Sequence, residues 1–290
     1  MDYPIIILNQ KHLIPLSIFY KSSTINYYRL GYGSKPVICF HGYDETAASF
    51  AFLESEAGEE FTFYAIDLPF HGSTVWKEGP DFSPKDLLKI IVQLLAQHTA
   101  TNGRERAKND QITLMGYSLG GRICLQLFEL MPEKIEKLVL LAPDGLKVNA
   151  WYWLATQTQM GNRLFKFTMK KPQWFFGLLQ LLNKLHFINQ SVFKFVRHYI
   201  NNKKARLQLY ERWMVLRKIK PDLKKIKQQI KQQGTDVRLT YGKHDRIILP
   251  ARGEKFCDGI EGHCKINIIN AGHQVLHEKH IDEILAALLR

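Results

Sequence analysis

Six short apolar runs, each ended by glycine or proline, constrain the fold of this 290-residue chain more than any other feature. They lie at 37–40, closed by His41-Gly42; at 61–66, closed by Asp67-Leu-Pro69; at 112–115, closed by Gly116; at 138–141, closed by Pro143-Asp144-Gly145; at 237–241, closed by Gly242; and at 266–269, closed by Ala271-Gly272. Short runs of this kind, each closed by glycine or proline, read as strands buried on both faces. Helical periodicity falls between them. Ser83-Pro84 offers an N-cap with proline at the first helical position, followed by Leu87, Ile90, Ile91, Leu94 and Leu95 on one face. Ile123, Cys124, Leu127, Phe128 and Met131 repeat the pattern before Pro132, and Ile281, Ile284, Leu285, Leu288 and Leu289 repeat it at the C-terminus. Strands and helices in alternation predict an α/β fold, a mostly parallel sheet flanked by helices on both faces. Segments 16–20 and 25–30 are expected to form an antiparallel pair at one edge.

Charge divides the chain. The formal net charge is +13, yet residues 145–235 alone carry nineteen Lys+Arg against two Asp+Glu and four of the five tryptophans, while the remainder is slightly acidic. That segment has no strand signal, and its apolar residues cluster at helical spacing, as in Phe187, Val192, Phe195 and Val196, or Leu209, Trp213 and Leu216. We read 1–144 and 236–290 as two parts of one core and 145–235 as a helical, basic and aromatic cap inserted between them. The biased stretch 224–233 places Ile226 and Ile230 four apart, which predicts a solvated helix rather than a disordered tract.

Gly116-Tyr117-Ser118-Leu119-Gly120 follows a strand run and opens a helix. Glycines on both sides of a serine allow a sharp strand-to-helix turn that pushes the hydroxyl outward, beside the positive end of the helix dipole. A serine hydroxyl needs a base to become a nucleophile, and an imidazole needs an orienting partner. His273, in the loop after the last strand run, and Asp245, in the loop after the preceding one, are the candidates.

With these residues on the page, the sequence resembles the α/β-hydrolase fold serine hydrolases, over about 24–144 and 236–290. The chain order Ser118, Asp245, His273 is that family's order. Phe40-His41-Gly42-Tyr43 resembles its H-G-x loop, which implies that the Tyr43 and Leu119 backbone N–H groups form the oxyanion hole. Asp67-Leu-Pro-Phe-His71-Gly72-Ser73 and Gly242-x-x-Asp245 resemble two further family motifs. The resemblance implies a Ser118–His273–Asp245 triad acting on a small-molecule substrate, an apolar ester of small to medium size, without metal or organic cofactor. Serine at the elbow argues against relatives that use an aspartate nucleophile. His41 and His71 are expected to brace loops, and Asp144 is the second-choice acid. Tyr117 and Arg122 are candidate substrate contacts, although Arg122, one turn below Ser118, is expected first to form an ion pair. Gly116 to Arg122 also resembles the elbow of the menaquinone-pathway synthase MenH. That keeps open a lyase that eliminates pyruvate from an anionic substrate. A non-catalytic ligand- or membrane-binding relative is the third reading.

Other function classes are disfavoured. Cys257 and Cys264, near His263, have six residues between them, outside the spacing usual for zinc, so all four cysteines are expected as free structural thiols in a reduced, cytoplasmic protein. No apolar run approaches the roughly 18 residues of a membrane span, and residues 1–8 lack a signal-peptide pattern. The basic segment matches no nucleic-acid-binding module. Its mixture of lysine with tryptophan and phenylalanine, as in Lys170-Lys-Pro-Gln-Trp-Phe-Phe176, fits a lid over an acyl pocket first and a weak contact with an anionic lipid surface second.

Overall fold

The computed structural model describes residues 13–101, 111–147, 150–184 and 200–289. Eight strands form one sheet: β1 (Leu16–Tyr20), β2 (Ser23–Leu30), β3 (Lys35–Phe40), β4 (Phe61–Ile66), β5 (Ile112–Tyr117), β6 (Ile135–Leu141), β7 (Asp236–Gly242) and β8 (Cys264–Ile269). Their spatial order is β1-β2-β4-β3-β5-β6-β7-β8. β1–β2 and β2–β4 pair antiparallel, and every later pair is parallel. The central strands are apolar because helices cover both faces: every residue of β4 and of β5 is buried. At the edge, β1 is covered on one face only, with Ile18 and Tyr20 buried and Leu16, Ser17 and Phe19 exposed.

Among the helices, α1 (Leu53–Ala57) precedes β4 and α2 (Pro84–Thr101) follows it. The start of α2 is a capping box, with Ser83 Oγ accepting from the Asp86 N–H at 3.2 Å and the Asp86 carboxylate accepting from the Ser83 N–H at 2.8 Å. Next comes α3 (Leu119–Leu130), directly after β5. Between β6 and β7 every described element is a helix: α4 (Ala150–Gln157), α5 (Gln159–Lys170), α6 (Gln173–Lys184), α7 (Lys203–Val215), α8 (Leu223–Gln233) and one short 3-10 turn. In α8, Ile226 and Ile230 are buried and Lys224, Lys225 and Lys231 are exposed, while the half-buried Lys227 donates to the Asp258 carbonyl at 2.8 Å. The apolar cluster at 187–196 lies outside the described residues. The chain ends with α9 (Ala251–Cys257), β8 and α10 (Ile281–Leu289).

Two expectations are overturned: β8, at the sheet edge, is largely exposed rather than buried on both faces, and the cysteines are not all free. Cys257 and Cys264 are joined in a disulfide, while Cys39 and Cys124 are free and buried. Cys257 ends α9 and Cys264 opens β8, and the short turn between them brings the two Cα atoms to 5.5 Å, within bridging range. Sequence separation does not reveal such a reversal of chain direction. Among the described residues no helix is long and apolar enough to cross a membrane.

Candidate active site

Parallel strands deliver their C-terminal loops to one edge of the sheet, where ligands of open α/β folds bind. β5 delivers Ser118. Its backbone sits at φ 49° and ψ −112°, a conformation costly for any residue with a Cβ. The neighbouring glycines make room for it. A Cβ on Gly120 would lie 1.8 Å from the Phe40 carbonyl oxygen, and one on Gly116 would lie 2.5 Å from the Gly120 carbonyl oxygen. The turn is held by the Ser118 N–H donating to the Leu141 carbonyl at 2.9 Å and by the Ser118 carbonyl accepting from Gly121 and Asp144.

His273 and Asp245 meet this serine. His273 Nε2 is 3.0 Å from Ser118 Oγ, and His273 Nδ1 is 2.7 Å from Asp245 Oδ2. The other oxygen of Asp245 accepts from the N–H groups of Ile247 at 2.7 Å and Ile248 at 3.0 Å. Burial pushes the Asp245 carboxyl up, but the hydrogen bond from His273 and those from Ile248 and Ile247 outweigh it and hold the group below the usual carboxylate range. An ionised Asp245 requires the proton on Nδ1, which leaves Nε2 free to accept from the serine hydroxyl.

A family model described as alpha/beta hydrolase fold matches residues 35–280. The chain belongs to the α/β-hydrolase family. The uncharacterized hydrolase YugF from Bacillus subtilis is 21% identical over 85% of this chain and 86% of its own. The pimeloyl-[acyl-carrier protein] methyl ester esterase of Aeromonas salmonicida is 26% identical, over 46% of this chain and 48% of its own. Among solved structures, a thermophilic esterase from Thermogutta terrifontis superposes with a TM-score of 0.64 at 15% identity, covering 94% of this chain and 96% of that one. At that identity the likeness is one of fold.

In this α/β hydrolase the remaining sequence candidates divide. Tyr43 and Leu119 both line a cavity of about 430 Å³ that has Ser118 on its wall. Asp144 does not reach the histidine. It lies 3.3 Å from Arg122 Nε and accepts from the Gly145 N–H at 2.8 Å, so Asp245 alone orients His273. Arg122 makes that ion pair and also faces the cavity, with its guanidinium 4.8 Å over the Tyr152 ring. Tyr117 is not among the residues that line the cavity. It is buried with its ring 5.5 Å from that of His273, and its hydroxyl donates to the His273 carbonyl at 3.2 Å, within reach of Gln274 Oε1 at 3.1 Å. A side chain at the end of a central strand points into the fold when the next residue points out.

The two extra histidines hold loops. His41 Nδ1 donates to the Gly42 carbonyl at 2.8 Å and Nε2 accepts from the Leu68 N–H at 3.1 Å. Burial lowers its pKa to about 4, and the same cause takes His71 to about 2, so both rings are neutral near pH 7 and poor proton acceptors. Asp67 accepts from the Ala47 and Ser73 N–H groups. A Cβ on Gly72 would collide with that carboxylate at 2.1 Å.

Sequence reasoning missed three residues that assemble the site. Gln274 donates to Glu45 Oε1 at 3.0 Å, tying the His273 loop to the Tyr43 loop. Arg212, buried on α7, pairs with Asp44 at 2.6 Å, donates to the Phe70 carbonyl at 3.0 Å and lies 5.4 Å over the Tyr43 ring. It fastens the helical segment to the loop that carries Tyr43. As one of nineteen cations in that segment, it carries no local signal. Arg252, in the cavity wall, comes from α9, a helix that the periodicity did not predict.

Proposed function

We propose that this α/β hydrolase is a serine esterase acting on an acyl ester of small to medium size that bears a negatively charged group. The observation that carries the reading is the unbroken chain of hydrogen bonds from Asp245 through His273 to Ser118, opening on a cavity. His273 Nε2 takes the hydroxyl proton as Ser118 Oγ attacks the ester carbonyl, and the carbonyl π electrons move to oxygen. Asp245 stabilises the imidazolium so formed. The N–H groups of Tyr43 and Leu119 receive the oxyanion, and the loss of one such donor typically costs about a hundredfold or more in rate. As the tetrahedral intermediate collapses, the C–O bond breaks and the leaving alkoxide takes the proton from His273. Water, deprotonated by the same histidine, then releases the acyl group. The named esterases among its relatives support this class.

The substrate preference comes from the cavity wall. Trp153, Trp213, Leu216 and Ile219 form an apolar surface over Ser118, provided by the helices that we read as a cap. Five cations, Arg122, Lys147, Arg212, Lys220 and Arg252, share the wall with one acid, Asp144. That balance favours an anionic group on the substrate over the apolar ester expected from the sequence. It also favours a second reading, a MenH-like lyase in which His273 takes a proton from carbon and pyruvate departs.

One experiment separates these. Neutral p-nitrophenyl esters of increasing chain length are compared with esters of equal length ending in a carboxylate, on the wild type, Ser118→Ala and Arg252→Met. Turnover abolished by Ser118→Ala supports the esterase, and a carboxylate preference that Arg252→Met reduces supports the anionic subsite. If the folded protein labels with a fluorophosphonate but turns over no ester, the lyase takes precedence, and pyruvate release from the menaquinone intermediate then decides it. A folded protein that neither labels nor turns over is a binder and refutes both.

A further inference from the structure

The outer face of α5 and α6 is inverted for a helix pair on a globular protein. On α5, Met160, Leu164 and Phe167 follow one another at spacings of four and three; on α6, Trp174, Leu178 and Leu181 do the same. Each set therefore forms one stripe along its helix. All six are at least 39% exposed. The opposite faces are already in use, because Gly161, Thr168, Met169 and Leu179 are buried, and among the described residues the stripes are left exposed. The rings of Phe167 and Trp174 lie 6.4 Å apart and join the two stripes into one patch. Around it stand Arg163, Lys166, Lys170, Lys171 and Lys184, all exposed, and residues 150–184 contain no Asp or Glu at all.

We propose that this face docks the protein on an anionic lipid membrane. A contiguous apolar patch of this kind marks an interaction site. Aromatic and aliphatic stripes flanked by Lys and Arg, without acids, are the composition of helices that lie in a bilayer interface, the rings entering at headgroup depth and the cations meeting lipid phosphate and carboxylate. A second copy of the chain is a poor occupant, since a symmetric contact would set this cationic patch against itself. Trp153 of α4 is both 49% exposed and part of the cavity wall, so docking brings the cavity rim close to the lipid surface. The proposal rests on the patch and not on the esterase reading.

The test is co-flotation of the full chain with vesicles of phosphatidylcholine alone or mixed with phosphatidylglycerol, at low and high salt, with circular dichroism and Tm as the check on folding. We expect binding to the anionic vesicles at least tenfold tighter than to the neutral ones, weakened by salt. Each lysine at an anionic surface is worth roughly fivefold in partition, so Lys166→Glu with Lys170→Glu lowers binding by about twenty-fivefold or more. Phe167→Ser with Trp174→Ser lowers it by about tenfold or more while the fold is retained. No flotation with anionic vesicles at low salt overturns the proposal, as does binding that charge reversal leaves unchanged. Self-association that Phe167→Ser abolishes, without lipid binding, overturns it in favour of a second copy.

Discussion

Replacing Gly120 by alanine tests how the elbow is built. The added Cβ would sit 1.8 Å from the Phe40 carbonyl oxygen, and contacts under 3.0 Å are essentially never observed, so the start of α3 and the end of β3 must separate by at least the difference, 1.2 Å. Both ends carry a proposed oxyanion donor, Leu119 one residue before the glycine and Tyr43 three residues after Phe40. A misplacement of about 1 Å at a reacting centre costs about a hundredfold in rate. Overpacking of this kind costs about 1–3 kcal/mol in stability, which for a domain of this size corresponds to a fall in Tm of roughly 2–12 °C. The expected outcome is a kcat on a p-nitrophenyl ester lowered by about two orders of magnitude, a slower rate of fluorophosphonate labelling and a modest fall in Tm. Gly177→Ala is the control. It lies in α6 with nothing within 4 Å of its added Cβ, and it should leave kcat unchanged and raise stability by about 0.5–1 kcal/mol. A Gly120→Ala enzyme with wild-type kcat and Tm would refute the argument that close approach of α3 to β3 sets the site.

Three further outcomes follow from the same geometry. Asp245→Asn removes the acceptor that keeps the His273 proton on Nδ1, and kcat should fall by about a hundredfold to ten-thousandfold with Tm little changed; a loss under tenfold would argue that another group orients the histidine. His41 is buried neutral with its folded pKa lowered to about 4, below the ordinary histidine value, so the unfolded chain binds more protons between about pH 6.5 and 4. Its contribution is therefore present above about pH 6.5 and is lost as pH falls towards 4; thermal unfolding across that window should decline less steeply for His41→Gln than for wild type. Arg212→Met keeps the apolar stem but leaves the Phe70 carbonyl without its charged donor, a loss of about 1.5–3 kcal/mol. The half-exposed Asp44 partner adds at most about 1 kcal/mol. Kinetics should show kcat reduced more than KM rises, and a fall in Tm alone would mean that Arg212 fastens the helices without shaping the oxyanion loop.

The β/α alternation was legible because burial on both faces of a parallel sheet leaves short, mainly apolar runs, and the glycines and prolines that close them separate them from buried helices. The order and contexts of Ser118, Asp245 and His273 were legible for a related reason: each follows a strand run, and parallel strands send such loops to a common edge. Even the edge pair β1–β2 could be anticipated from its position before the first buried run. The helical character of the described residues between β6 and β7 followed from the spacing of apolar residues and the lack of any strand signal.

Residue type and spacing could not show which side chains meet across loops. Asp144 and Asp245 each follow a strand, and only the register of β6 and β7 with their loops gives Asp144 to Arg122 and Asp245 to His273. Tyr117 and Ser118 are adjacent, yet the elbow turns one behind the histidine and the other into the cavity. The Cys257–Cys264 bridge depends on a turn that composition does not encode. The cationic cavity wall draws on the elbow helix, the inserted helices and α9, segments far apart in the chain. The outward apolar stripes of α5 and α6 look, as a pattern, the same as a core-facing stripe, because amphipathicity specifies a face and not its partner. Only the packing of the opposite face of each helix decides that these stripes look outward.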